Sequence, residues 1–323
     1  MIRTILVPLD GSPLAERALS PACRVSRETG AELVLVRAAP YVEQAQGSPS
    51  PLRVTVREAG AYIRAVRDRL IGEGYPAHGV ALHSAPLRAI EWTARRRHTD
   101  LIVMSTHGRT GLRHLMLGSV AEEVLKDPPA PVLLVRATEE DAPAPDGARY
   151  TILVPLDGTA YAEGALPYLA RAGLARTSEI ILLRAIPSGV PGTTVADDPA
   201  IRRMMTSWAE ATEGEMHEAR AYLDQLARRY LPGAQYRLQA ETADPAQAIE
   251  TLAATGLVDL VVLASQGRTG IDRILHGSVA RHVLRHTGVP ILVLRPVDVE
   301  QLALPATGDA PPIPQHTPHG AAV

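Results

Sequence analysis

The chain repeats itself, and this constrains its fold more than any other feature. Residues 4–19 read TILVPLDGSPLAERAL and residues 151–166 read TILVPLDGTAYAEGAL; twelve of these sixteen positions are identical. A second pair of blocks, 100–136 and 259–295, matches at 16 of 37 positions. The offset grows from 147 to 159, so the second copy carries a net insertion of 12 residues. A period of this length marks a duplicated domain, because solenoid units run about 20–50 residues. We expect one domain over 1–136 and another over 149–296, joined by an Ala-, Pro- and acid-rich linker over 137–148. The proline-rich tail, 297–323, has few large apolar residues and is expected to be disordered.

Composition excludes several classes. The 33 basic and 35 acidic residues leave a formal net charge of −2, which gives no general attraction to nucleic acid or to an anionic membrane. No apolar run reaches the ~18–20 residues of a membrane span. The start, MIRTILVPLD, lacks the apolar core of a signal peptide. Cys23 is the only cysteine, so no intrachain disulfide or Cys-rich zinc site can form, and a cytoplasmic location is expected. Phenylalanine is absent, so the cores rest on Leu, Val, Ile, Ala and Met. Lys126 is the only lysine, so any Schiff-base or P-loop chemistry depends on it.

Each copy alternates apolar runs with helical patterns. The first strand is Ile5–Leu9 or Ile152–Leu156, followed by the turn and cap residues Asp10-Gly11-Ser12 or Asp157-Gly158-Thr159. A helix then spans Leu14–Arg27 or Ala162–Ala172, and a second strand Glu32–Ala38 or Glu179–Ala185. A long helix follows, Val54–Ile71 or Pro199–Tyr230, then a third strand, Gly79–His83 or Ala234–Ala240. A helix opens at Pro86 or Pro245, where proline fits the first turn. The fourth strand is Leu101–Met104 or Leu260–Leu263. A last helix begins near Gly118-Ser119 or Gly277-Ser278, and the fifth strand is Val132–Val135 or Ile291–Leu294. Continuous apolar strands alternating with helices indicate an α/β fold with parallel sheets covered on both faces. Ligands of such sheets sit beyond the carboxyl ends of the strands.

The chemistry concentrates after strand four, in MSTHGRTGLRHLMLGSV and LASQGRTGIDRILHGSV. Glycine lets backbone amides approach a polyphosphate, and a helix N-terminus offers unpaired N–H groups and a positive dipole end. Ser119 and Ser278 can cap that helix or donate to phosphate, and Arg109 and Arg268 can pair with phosphate oxygens. A purely structural loop is the competing reading. Asp10 and Asp157 end strand one, where a carboxylate can bond a ribose, hold a metal-bound water or cap the next helix.

These residues resemble the universal stress protein family. ILVPLDGS, LVLVRA, the DLIVMS–G–GSV block and PVLLVR carry the likeness, which covers about 1–136 and 149–296. The resemblance implies two tandem Rossmann-like (adenine nucleotide alpha hydrolase-like) domains. Each would hold a five-stranded parallel sheet of order 3-2-1-4-5 with helices on both faces. It also implies ATP binding, with Mg2+, through G-x2-G-x9-G-[ST] after strand four. The second and third motif glycines fall on Gly108 and Gly118, then Ser119, and on Gly267 and Gly277, then Ser278; Ser105 and Ala264 stand at the first. By the same likeness Pro8, Leu9, Asp10 and Ala38 border the adenosine in copy one, and Pro155, Leu156, Asp157 and Ala185 in copy two. Met104, His107 and Val120, with Gln266 and Val279, complete the loops. The resemblance further implies that the fifth strands pair, here within one chain as a pseudo-dimer, with a homodimer and an unidentified protein partner as further possibilities.

The implied function is an ATP-binding stress-response module that signals through nucleotide-dependent conformational or partner-binding change. The alternatives are a nucleotide-free scaffold of the same fold and a slow ATPase; catalysis is not expected. Neither G-x4-G-K-[ST] nor G-x-G-x-x-G after a first strand occurs. His282 and His286 lie four apart, but no third metal ligand is apparent. His107 has Gln266 as its counterpart, so it is no general base shared by both copies. Arg95-Arg96-Arg97 reads as a solvated helix end, Cys23 as an apolar filler, and the helix around Met204, Met205 and Trp208 as one packed on its own core.

Overall fold

A computed structural model of the chain describes residues 1–40, 55–106, 117–136, 149–187, 199–264 and 277–295. The expected linker and tail lie outside these residues. Copy one runs β1 (Thr4–Pro8), α1 (Pro13–Glu16), α2 (Leu19–Thr29), β2 (Glu32–Ala38), α3 (Val56–Gly72), β3 (Ala77–Leu82), α4 (Pro86–Arg96), β4 (Leu101–Ser105), α5 (Ser119–Lys126) and β5 (Val132–Val135). Copy two runs β6 (Tyr150–Pro155), α6 (Ala160–Glu163), α7 (Ala165–Ala172), α8 (Leu174–Thr177), β7 (Ser178–Ile186), α9 (Pro199–Tyr230), β8 (Gln235–Thr242), α10 (Pro245–Ala254), β9 (Leu260–Ala264), α11 (Ser278–His286) and β10 (Ile291–Leu294).

The helix expected over 14–27 is broken in two. Pro21 is the third residue of α2 and has no N–H to give the Arg17 carbonyl, so the chain turns at Arg17–Ala18 and restarts. Copy two breaks at Gly164 for the same reason, with Pro167 third in α7. The left-handed Gly173 (φ 90°) then ends α7 and admits the short α8, which the sequence pattern does not announce.

All strands within a copy are parallel, and each half has the order 3-2-1-4-5. The halves join into one ten-stranded sheet, β3-β2-β1-β4-β5-β10-β9-β6-β7-β8. The join is antiparallel, with Leu133 opposite Leu292 and Val132 opposite Val293. It is reinforced symmetrically: Arg136 Nη1 donates to the Thr287 carbonyl at 3.3 Å, and Arg295 donates to the Pro128 carbonyl. The fifth strands therefore pair within the chain.

Period-two alternation splits the core between the sheet faces. Leu33 and Leu35 enter one layer, under α1–α3 and α7–α9; Val34 and Val36 enter the other, under α4, α5, α10 and α11. Both layers run across the seam between copies. Burying each such Leu or Ile contributes about 1.5–3 kcal/mol. Cys23 is part of this core, and burial pushes its thiol up to about 11, which removes it as a nucleophile at neutral pH. Among the described residues no helix is long and apolar enough to cross a membrane.

Candidate functional site

The carboxyl ends of β1, β2 and β4 lie side by side on one edge of each half, and α5 or α11 begins there. Asp10 leaves β1 through an Asx turn. Its Oδ1 accepts from the Ser12 amide (2.8 Å) and hydroxyl (2.6 Å), and Ser12 Oγ accepts from the Ala15 amide at 3.1 Å. Asp157 repeats this with Thr159 at 2.9 and 2.6 Å. The helix caps are thus Ser12 and Thr159, and the aspartates orient the caps instead of serving as them.

The expected site residues separate into three groups. His107, Gly108, Arg109, Gln266, Gly267 and Arg268 lie outside the described residues. Leu9, Leu156 and Met104 have buried side chains within the core layers, so only their backbones can meet a ligand, and Ser105 is likewise buried, at the end of β4. Pro8, Asp10, Ala38, Gly118, Ser119 and Val120, with Pro155, Asp157, Ala185, Ala264, Gly277, Ser278 and Val279, reach the edge with some exposure.

Two features correct the sequence reading of the loops. Ser105 and Ala264 end their strands in extended conformation, paired with Val135 and Leu294. Neither position therefore requires the left-handed backbone that glycine permits. Ser119 and Ser278 are the first helical residues, not caps. The caps are Gly118 (φ −62°, ψ 147°) and Gly277 (φ −65°, ψ 127°), and among the described residues neither helix end carries a side-chain cap. Glycine at the cap position supplies none of the side-chain oxygen that Ser12 and Thr159 give α1 and α6. In copy one the Gly118 amide donates to the Thr106 carbonyl at 2.6 Å, which ties the helix start to the end of β4.

Behind this edge lies a duplicated network that sequence reading missed. Arg37, at the end of β2, stacks its guanidinium on the Tyr62 ring of α3 at 4.5 Å. Tyr62 donates to Glu16 at 2.8 Å, and Arg69 joins the same carboxylate at 2.9 Å. In copy two Arg184 donates to the Leu156 carbonyl at 3.2 Å, and Tyr222 donates to Glu163 at 3.0 Å. Burial, followed by the neighbouring Glu16, pushes the Tyr62 phenol well above its ordinary range. The available signal was the arginine repeated in LVLVRA and IILLRA.

The histidine pair on α11 has other work. His282 Nε2 meets Glu250 at 2.6 Å, while His286 Nδ1 bonds the His282 carbonyl at 2.8 Å and the rings stack at 4.1 Å. Among the described residues no group of three or more His, Cys, Asp or Glu is placed to hold a metal ion.

The universal stress protein family model matches residues 1–136 and 149–295. A universal stress protein of Methanocaldococcus jannaschii is 32% identical over 146 residues, 44% of this chain and 86% of that protein. One of Bacillus subtilis is 27% identical over 148 residues, 42% of this chain and all of that protein. The crystal structure of a universal stress protein from Archaeoglobus fulgidus aligns over 90% of this chain and 98% of that one, with a TM-score of 0.60 at 18% identity. Two matched regions, a single alternating fold in each and a full-length structural likeness agree, and the chain belongs to the universal stress protein family.

Proposed function

We propose that each half binds ATP at its carboxyl edge, with Mg2+, and that the chain is a cytoplasmic stress-linked signalling module. The observation that carries this reading is the pair of helix starts at Gly118 and Gly277, which have no side-chain cap among the described residues. Their first amides, beside small residues at the ends of β4 and β9, make a donor set matched to phosphate oxygens. Ser119 and Ser278, exposed at the first helical position, add a hydroxyl each. Asp10 and Asp157 fit a ribose hydroxyl or a water on Mg2+, and Ala38 and Ala185 leave room for an adenine. Nucleotide binding at this edge would change the surface offered to a partner.

Equilibrium dialysis of labelled ATP against the purified chain tests this. Saturable binding of up to two nucleotides per chain is expected, weakened at least tenfold by Gly108→Val with Gly267→Val. No binding at millimolar ATP removes the reading. Undiminished affinity in the double variant removes the loop assignment.

A further inference from the structure

The amino ends of the copy-one strands carry a cleft that the nucleotide reading does not use. It has a volume of about 530 Å3 and lies at the amino ends of β1 and β4, where copy two leans against copy one. Three arginines line it: Arg3 from copy one, and Arg171 and Arg295 from copy two, together with His98. Arg3, Arg171 and His98 are exposed. The only acidic lining residue is Asp100, whose Oδ2 already accepts the Arg3 and Thr4 amides at 2.8 and 3.0 Å. The lining side chains thus include three arginines against one aspartate, and Arg295 also donates to the Pro128 carbonyl.

The duplication supplies an internal control. At the position related by the repeat, Arg24 reaches Asp259 at 3.5 Å and lies over the Tyr150 ring at 4.2 Å, so an aromatic side chain takes up the space. Tyr150, Leu257 and Val258 in copy two correspond to Arg3, His98 and Thr99 in copy one. Three apolar or aromatic residues have polar counterparts on one side only, and all three counterparts line the cleft. The Thr99 hydroxyl is buried and has no hydrogen-bond partner among the described residues. A buried hydroxyl left in that state is costly, whereas the valine of copy two carries no such cost. His98 adopts φ 49°, the only positive φ outside glycine among the described residues. Such backbone strain tends to persist where a site requires it.

We propose that this cleft is an anion site for a small phosphorylated molecule bearing at least two phosphate groups, held across the seam between the copies. Guanidinium forks match phosphate oxygens in pairs, and three of them converging from two domains exceed the need of a single monoanion. Bound there, the ligand would bridge β1 of one half to α7 and β10 of the other. In copy one the cleft and the nucleotide edge are at opposite ends of the strands, and in copy two the cleft meets the carboxyl side only at Arg295, after β10; none of the proposed nucleotide residues lines it, so the two readings stand or fall separately.

Labelled pyrophosphate is the probe, dialysed against the full chain carrying Gly108→Val and Gly267→Val, so that the loops of the other edge contribute least. One saturable site per chain is expected. Adding Arg3→Tyr with Thr99→Val, the residues copy two carries, should weaken it at least tenfold with the melting temperature held or raised. If that variant does not fold, Arg171→Gln should give the same loss. Absence of saturation at millimolar pyrophosphate overturns the proposal, as does unchanged affinity in both variants. Equal displacement by citrate would overturn the phosphate assignment in favour of any polyanion. Binding that emerges only on Asp298→Asn with Glu300→Gln would instead make the chain's own tail the occupant, and would also overturn it.

Discussion

The guanidinium of Arg37 occupies the place where a side chain on Gly11 would begin: a Cβ built there falls 2.5 Å from Nη2. Gly11 also has φ +88°, so the position excludes other residues twice over. Gly158 stands in the same relation to Arg184, but a Cβ there would lie 3.5 Å from the guanidinium, an ordinary contact, at φ +85°. Because the turns carry Asp10 and Asp157, each arginine connects the proposed nucleotide edge to a long helix through a tyrosine.

Gly11→Ala and Gly158→Ala should therefore differ. Both meet the cost of a left-handed alanine, about 1–2 kcal/mol. Only the first also pushes an arginine off its tyrosine, so its loss in urea unfolding should be larger by ~0.5–1 kcal/mol. Introducing Arg37→Gln beforehand should erase the difference. Equal losses in the two single variants would show that the Arg37 placement carries no energy.

The strands were legible in the sequence because a strand buried on both faces needs little but an unbroken apolar run. Val132–Val135 and Ile291–Leu294 have the same bounds in sequence and structure. The break between α1 and α2 was not read, since Pro21 acts on a carbonyl four residues earlier, inside a pattern that remains amphipathic. The sequence left Ser119 open between helix cap and phosphate donor, because a cap and a first helical residue differ in backbone angle, which composition does not encode. The Arg37–Tyr62–Glu16 chain joins three elements that meet only after folding, and no local spacing marks it. The opposition of Arg3 and Tyr150 was present in the repeat, but its meaning required knowing which residues face the seam.

Glu163 gives the fold a pH dependence of known sign. Burial first, and the charge of Asp157 as a lesser cause, raise its pKa, against the opposing Tyr222 hydrogen bond and Arg229. The native state thus holds this proton more tightly than the unfolded chain does. The contribution from Glu163 is fully present below the ordinary carboxylate range and is lost as pH rises through the raised value. Glu163→Gln keeps an acceptor for Tyr222 while removing the charge. It should raise the melting temperature relative to the parent at pH 8 and lose that advantage by pH 4. An advantage that grows toward acid would reverse the assigned sign.

The seam between copies should be part of one cooperative unit. Leu133 is 1% exposed and lies opposite Leu292 across the antiparallel join. Leu133→Asp buries an unpaired carboxylate there and should cost about 3 kcal/mol or more. Separate unfolding transitions for the two halves should follow in calorimetry, against a single transition expected for the parent. A single unchanged transition would mean that the halves are not held by this pairing.

The four hydroxyls of the carboxyl edge should divide cleanly into two kinds. Ser12 and Thr159 accept from the amides of Ala15 and Ala162, so they are true caps of their helices. Ser12→Ala and Thr159→Ala should each cost about 1 kcal/mol in unfolding. Ser119 and Ser278 follow the capping glycines and are exposed, and among the described residues neither helix end has a side-chain cap. Replacing them with alanine should change stability by less than about 0.5 kcal/mol, as for surface sites generally. In the ATP reading the same two substitutions weaken nucleotide binding several-fold, because a hydroxyl is withdrawn from the phosphates while the backbone amides stay. Urea unfolding and ATP dialysis on the four variants separate the cases. Should Ser119→Ala cost as much stability as Ser12→Ala, the start of α5 is capped after all, its amides are already engaged, and the strongest support for a phosphate at that position is gone.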